Sequence, residues 1–143
     1  MAELGDVRAL YEAYIAKVEQ LVRDRKPGEG VFGLKGGPKD DPCHDRFAED
    51  LGALLKAYAR EEHTPAETRA LLEYIYTVPL EHREPRSAYW MLMAVHGLCG
   101  ELVERLTRED AGALRRRYAA DYPPWERLPV QKKTLDALKK QAK

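Results

Sequence analysis

The sequence has few of the features that secreted and membrane proteins need. Only two cysteines, Cys43 and Cys99, are present, and the first ten residues carry charges where a secretion signal requires an uninterrupted apolar segment. The longest stretch without Asp, Glu, Lys or Arg runs from Ser87 to Gly100, which is shorter than the ~20 apolar residues that span a bilayer. We therefore expect a cytoplasmic protein with no membrane partner, in which both cysteines are reduced thiols.

Most sequence signatures of catalysis are missing as well. Ser87 is the only serine, and the motifs GxSxG, HExxH and ExxH, which mark hydrolases, zinc proteases and di-iron bundles, do not occur. The segment from Gly28 to Gly33 matches GxGxxG, but a helix is expected before it, whereas dinucleotide binding needs a strand there. The sequence therefore predicts no enzyme class and no catalytic residue.

The composition is typical of amphipathic helices. Hydrophobic residues make up 44% of the chain and charged residues 34%, which is too apolar for a disordered chain and rich enough in charge to cover a helical surface. The length of 143 residues suffices for one hydrophobic core. We expect a single α-helical domain over residues 1–143.

Apolar residues recur at helical spacing along most of the chain, and no segment alternates as a strand would. The pattern predicts an all-α fold, a compact bundle of five or six helices, with a long glycine-rich loop over residues 26–41 after helix one. The expected elements are helix one over 3–25, helix two capped by Asp41 with Pro42 at its first position, helix three after Thr64, helix four from Pro85 or Ser87 to Cys99, helix five after Thr107 and a final helix over 130–141.

Several local expectations follow from this pattern. Thr64 with Glu67, and Thr107 with Asp110, have the spacing of a capping box. Pro79 is expected to end helix three in a turn. Helix three should bury Ala70, Leu71, Tyr74, Ile75 and Val78, while helix four is apolar nearly all round and should lie in the centre, with Gly97 and Gly100 permitting close approach or marking a bend.

Four side chains have the chemistry of zinc ligands. Cys43, His44, His96 and Cys99 together match a Cys2His2 site, and His96 and Cys99 are one helical turn apart. Against this site, Cys43 and His44 point about 100° apart on a helix, and no CxxC spacing is present. The alternative is that Cys43 is a small buried hydrophobic residue and that His96 is a neutral core residue that donates to a carbonyl or a tyrosine. We expect no cofactor, with zinc as the alternative.

Three hypotheses for function remain open. The first is a protein-interaction module, with a protein partner or a second copy in a homodimer. The second is a small-ligand or metal-binding enzyme with a site between the 26–45 region and helix four, where His44, Tyr89 and His96 would bind the ligand. The third is nucleic-acid binding through residues 115–143, which hold nine Lys or Arg and three Asp or Glu, a net charge of +6 against −6 for the preceding residues.

Overall fold

Six α-helices account for most of the residues that the structure describes. The computed structural model describes residues 3–23, 43–81, 91–92 and 96–143. The helices are α1 Leu4–Arg23, α2 Cys43–Arg60, α3 Pro65–Glu81, α4 Gly100–Val103, α5 Arg108–Asp121 and α6 Pro129–Gln141, with 3-10 turns at His96–Cys99 and Pro124–Glu126. No strand occurs in these ranges, and the all-α bundle predicted from the sequence is confirmed.

Some expectations concern residues outside this description. They are the glycine-rich loop over 26–41 with its GxGxxG segment, the cap at Asp41, the start of helix four at Pro85 or Ser87, and Tyr89. Among the described helices, none is long and apolar enough to cross a membrane.

Helices α1 and α2 form an antiparallel pair at one side of the core. Tyr14 contacts His44 and Phe47, Tyr11 contacts Phe47, and Leu4 lies near Tyr58, so residue numbers rise along one helix as they fall along the other. The buried side chains of these two helices join those of α3 to α6 in one hydrophobic cluster. Apolar residues of α1, α2, α5 and α6 form most of that cluster. In each of these helices they are three or four residues apart, so they lie on one helix face and are buried together.

The first capping box is confirmed in full. The Glu67 N–H donates to Thr64 Oγ1, and the Thr64 N–H donates to Glu67 Oε1, each over 3.1 Å. At α5 only half of the box forms: the Asp110 N–H donates to Thr107 Oγ1, but Asp110 Oδ1 accepts from Arg69 at 2.7 Å instead. The Asp110 carboxylate therefore ties α5 to α3, because a charged donor forms a stronger hydrogen bond than a backbone N–H.

The prediction that Pro79 ends helix three was wrong. Helix α3 continues to Glu81 with Pro79 inside it. A proline in a helix has no N–H for the carbonyl four residues earlier, which here belongs to Ile75. His96 Nε2 lies 3.2 Å from that carbonyl oxygen, and the Tyr122 hydroxyl donates to the next carbonyl, of Tyr76, at 2.5 Å. His96 thus replaces the hydrogen bond that Pro79 cannot make, and Tyr122 holds the neighbouring carbonyl as well.

The buried face of α3 also differs from the prediction. Leu71, Ile75 and Val78 are buried as expected, but Ala70 is exposed, and the face extends to Leu72 and Tyr76. Helix α3 packs against both α1 and α5, so its buried surface is wider than a single stripe.

Predicted helix four is not a regular α-helix where it is described. Met91 and Leu92 lie in a π-helical turn, residues His96–Cys99 form a 3-10 turn, and only Gly100–Val103 return to α-helical geometry. Met91, His96 and Cys99 are fully buried, which agrees with a central position, but Leu98 is 44% exposed. A Cβ at Gly100 would have no neighbour within 4 Å, so Gly100 marks the change of helix type and not a close approach.

Candidate functional site

A surface groove of about 460 Å³ runs between α1 and α2. Each helix lines it with four residues spaced i, i+3, i+4 and i+7: Leu10, Ala13, Tyr14 and Lys17 from α1, and Cys43, Arg46, Phe47 and Asp50 from α2. That spacing places four side chains on one helix face over two turns, a length of roughly 10 Å. The groove is therefore an elongated channel between two antiparallel helices.

Aromatic packing fixes the floor of the groove. The rings of Tyr14 and Phe47 are stacked, with centroids 4.1 Å apart and planes 5° from parallel. Tyr11 meets Phe47 edge-on at 4.9 Å from beneath. These three rings are buried in the core, so the floor is apolar and held by contacts on its inner side.

The edges of the groove carry charges of both signs. Lys17, Arg46 and Asp50 are all exposed, and Arg46 and Asp50 lie one turn apart on α2. Within the described ranges neither of these two side chains forms an ion pair. Ala13 lies exposed on α1 between Leu10 and Lys17. Because its side chain is short, the α1 edge of the groove projects least at this position. The groove thus combines an apolar floor with two edges able to form ion pairs.

Two residues singled out from the sequence lie at this groove. Cys43, half-buried, lines its end, and His44 is 4% exposed one residue later. His44 Nδ1 lies 2.6 Å from the Tyr14 hydroxyl, a hydrogen bond that joins α2 to the α1 residue in the groove floor. His44 therefore positions Tyr14 from within the helix pair.

His96 has a different environment, in the core between α3 and α5. Its Nε2 must donate to the Ile75 carbonyl, since that oxygen can only accept. Its Nδ1, 2.9 Å from the Tyr118 hydroxyl, then accepts from that hydroxyl in the neutral ring. Burial lowers the pKa of His96 to about 4, although the bond to Ile75 opposes this shift. This is the neutral core histidine that the alternative interpretation describes.

Cys99 is fully buried near this histidine, and burial raises the pKa of its thiol to about 12. A thiol with so high a pKa is neither a nucleophile nor a ready metal ligand near neutral pH. Among the described residues, which include Cys43, His44, His96 and Cys99, no group of three or more His, Cys, Asp or Glu side chains is placed to hold a metal ion. The third residue of the ligand-binding hypothesis, Tyr89, lies outside the described ranges.

The groove residues that sequence reasoning missed are Lys17, Arg46 and Asp50. Charged residues on a helix surface usually face solvent, so no signal distinguished these three from the other exposed charges. The sequence signal for this surface was Leu10, an apolar residue at the edge of the apolar stripe that the sequence predicts for helix one. Ala13 and Lys17 lie on the same side of the helix as Leu10, next to the side that packs into the core.

The basic segment 115–143 comprises the second half of α5, the 3-10 turn at Pro124–Glu126 and α6. Its three consecutive arginines diverge, because successive residues on a helix point about 100° apart. Arg117 forms ion pairs with Glu73 on α3 and with Asp121, whereas Arg115 faces a cleft between α5 and α6. The positive charge of this segment is therefore divided between packing contacts and a surface cleft.

Comparisons with known proteins identified no relative of this chain. No protein-family model, curated protein or solved structure matches the chain.

Proposed function

We propose that this chain is a protein-interaction module that pairs with a second copy of itself through the groove between α1 and α2. The observation that carries the proposal is the groove itself, which has an apolar floor, the same four-position spacing on two antiparallel helices, and opposite charges one turn apart on α2.

Helix pairs fit such a channel well. A groove between two helices accepts the side-chain ridge of a third, and two helix pairs that interlock in this way form a four-helix bundle. Ala13 on one edge allows a helix backbone to approach closely, and the exposed Ala13 with the half-buried Leu10 and Cys43 offers apolar area to bury above the floor. Burial of that area supplies the association energy.

Charge complementarity favours a second copy as the occupant. In a two-fold symmetric pair each contact occurs twice, and we place the two-fold axis perpendicular to the helices, so that α2 runs antiparallel along the α2 of its partner. Arg46 of one copy then lies opposite Asp50 of the other, and the reciprocal pair forms as well. The zero net charge of the chain adds no long-range repulsion between copies.

Sedimentation equilibrium of the full chain over a range of concentrations tests this proposal. We expect a dimer that Ala13→Glu converts to monomer, weakening association at least about tenfold, because an unpaired charge in an apolar interface costs more than the ~1.4 kcal/mol that a factor of ten requires. Ala16→Glu is the matched control: Ala16 is also exposed on α1 but does not line the groove.

A wild-type chain that stays monomeric at every concentration would overturn the proposal and leave the groove to another occupant. The same conclusion follows if Ala13→Glu and Ala16→Glu change the association equally. Circular dichroism of both variants ensures that the fold is retained in the comparison.

A further inference from the structure

A second surface feature, independent of the α1–α2 groove, is a basic cleft between α5 and α6. It has a volume of about 240 Å³, and its charged lining consists of Arg115, Arg127, Lys132 and Lys139 with the single carboxylate of Asp136. Across the described ranges no ion pair links any of these four cations to a carboxylate. The cleft therefore concentrates positive charge, with four cations against one carboxylate.

The cations of this basic cleft are placed by the fold. Arg127 Nε donates to the Tyr122 carbonyl at 2.8 Å, and its Nη2 donates to the Ala119 carbonyl at 3.2 Å. These two bonds hold the guanidinium at the end of α5. Its Nη1 hydrogens take part in neither bond. Lys132 and Lys139 are seven residues apart on α6, so they share one helix face. A fixed guanidinium beside flexible ammonium groups is suited to oxygen atoms of a phosphate.

Trp125 is 81% exposed, the largest exposure among the large hydrophobic side chains that the structure describes. It occupies the 3-10 turn between α5 and α6, two residues before Arg127, so the two Cα atoms are at most about 7 Å apart. An indole ring left in water costs hydrophobic free energy, and an open aromatic face is what an unstacked base requires. The indole does not line the cleft, but the chain holds it within one nucleotide's reach of the fixed Arg127 guanidinium.

We propose that the cleft between α5 and α6 binds single-stranded nucleic acid, with a backbone phosphate among Arg115, Arg127, Lys132 and Lys139 and a neighbouring base stacked on Trp125. Cations that contact phosphates release counterions, which gives affinity without sequence preference, and the ring adds stacking that every base can use. A duplex keeps its bases stacked inside, and an acidic peptide has no planar base, so neither uses Trp125.

Fluorescence anisotropy of a labelled single-stranded oligonucleotide, titrated with the full chain at low salt, tests the cleft. The double variant Lys132→Ala/Lys139→Ala should bind at least about tenfold more weakly, and its dependence on salt should be less steep by about 0.7 for each lost phosphate contact. The matched control is Lys133→Ala/Lys140→Ala, which removes the same charge from the same helix at exposed lysines that do not line the cleft. It should change binding less than about threefold.

Trp125→Ala tests the stacking half of the proposal. It should weaken binding about tenfold, within the range measured for base stacking on aromatic residues, while Trp125→Phe retains most of the affinity. The proposal is overturned if no oligonucleotide binds at low salt, or if both lysine pairs contribute equally, which indicates diffuse attraction. It is also overturned if duplex DNA or poly-glutamate competes as well as the single strand does.

Discussion

At the scale of single residues, His96 explains most about how this core is organised. It is 2% exposed, and its two ring nitrogens bond to elements far apart in sequence, the Ile75 carbonyl on α3 and the Tyr118 hydroxyl on α5. The bond to Ile75 fixes the tautomer of the neutral ring, with the proton on Nε2 and with Nδ1 accepting from Tyr118. The neutral side chain therefore joins two helices, and burial disfavours its charged form.

This arrangement predicts a pH dependence of stability. His96 titrates near 6.5 in the unfolded chain, but burial lowers its pKa to about 4 in the folded protein. The unfolded state therefore binds the proton first as pH falls, so the contribution of His96 is fully present above about 6.5 and is lost as pH falls to about 4. A pKa shift of this size corresponds to a loss of unfolding free energy on the order of 3 kcal/mol. The measurement is the free energy of unfolding in denaturant between pH 8 and pH 4.

The variant His96→Gln separates this effect from other acid titrations. Among the described residues, the titratable groups around His96 are Tyr76 on α3, Tyr118 on α5, Tyr122 directly after α5, and Cys99, and burial raises the pKa of each. All four stay neutral below pH 7, so the difference between parent and variant reports His96. Parallel loss of stability in the two proteins between pH 6.5 and pH 4 would show that the account of His96 is wrong.

The tyrosines of this cluster differ in what their hydroxyls contribute. The Tyr76 hydroxyl is buried without a hydrogen-bond partner in the structure, whereas the Tyr118 hydroxyl donates to His96 Nδ1. Tyr76→Phe should therefore leave the free energy of unfolding unchanged or raise it, by up to about 3 kcal/mol, because a stranded polar atom is removed.

The matched variant Tyr118→Phe should lower the free energy of unfolding by about 1–3 kcal/mol, because it leaves the buried Nδ1 without a donor. Denaturant unfolding of both proteins at pH 8 measures the difference. The reverse order of stabilities would contradict the hydrogen bonds assigned to this cluster.

At the scale of elements, α3 shows how tertiary contacts can override a local rule. A proline inside a helix costs about 3 kcal/mol or more, mostly through a lost hydrogen bond and a steric clash with the preceding turn. Here the Ile75 carbonyl, which Pro79 leaves without its helical donor, accepts from His96. The continuation of α3 to Glu81 is therefore coupled to a residue outside the helix.

A double-mutant cycle measures that coupling. In the parent, His96→Leu leaves the Ile75 carbonyl without a donor, but in a Pro79→Ala background the new N–H can donate to it. We expect His96→Leu to cost about 1–3 kcal/mol less in that background. Effects that add within about 0.5 kcal/mol would mean that Pro79 and His96 are independent.

The helices differ in how well they can be predicted from the sequence. Helices α1, α2, α5 and α6 follow from stripes of apolar residues, and the starts of α3 and α5 follow from the caps Thr64 and Thr107, all of which are local signals. Pro79 was misjudged because its compensating donor, His96, lies on another element. The described parts of predicted helix four, residues 91–92 and 96–99, were misjudged because that stretch is apolar nearly all round and so carries no periodic signal that separates π, 3-10 and α geometry.

At the scale of the whole molecule, charge is arranged so that a neutral chain offers two distinct surfaces. The α1–α2 groove has the cations Lys17 and Arg46 and the carboxylate of Asp50 at its edges, while the cleft between α5 and α6 is strongly basic. Of the residues singled out from the sequence, Cys43 lines the groove and His44 follows it on α2, while the basic segment contains the cleft. Sequence reasoning did not identify Lys17, Arg46 or Asp50, because a groove edge is defined only once two helices are packed.

The pairing of two copies through the α1–α2 groove is tested most directly by exchanging its charges. Arg46→Asp and Asp50→Arg should each weaken the dimer in sedimentation equilibrium, since each places like charges opposite one another, and Glu49→Arg, at an exposed site outside the groove, should not. The double variant Arg46→Asp/Asp50→Arg restores opposite charges across the two-fold axis, and we predict that it recovers the association of the parent. A double variant as weak as the sum of its single changes would contradict the proposed interface.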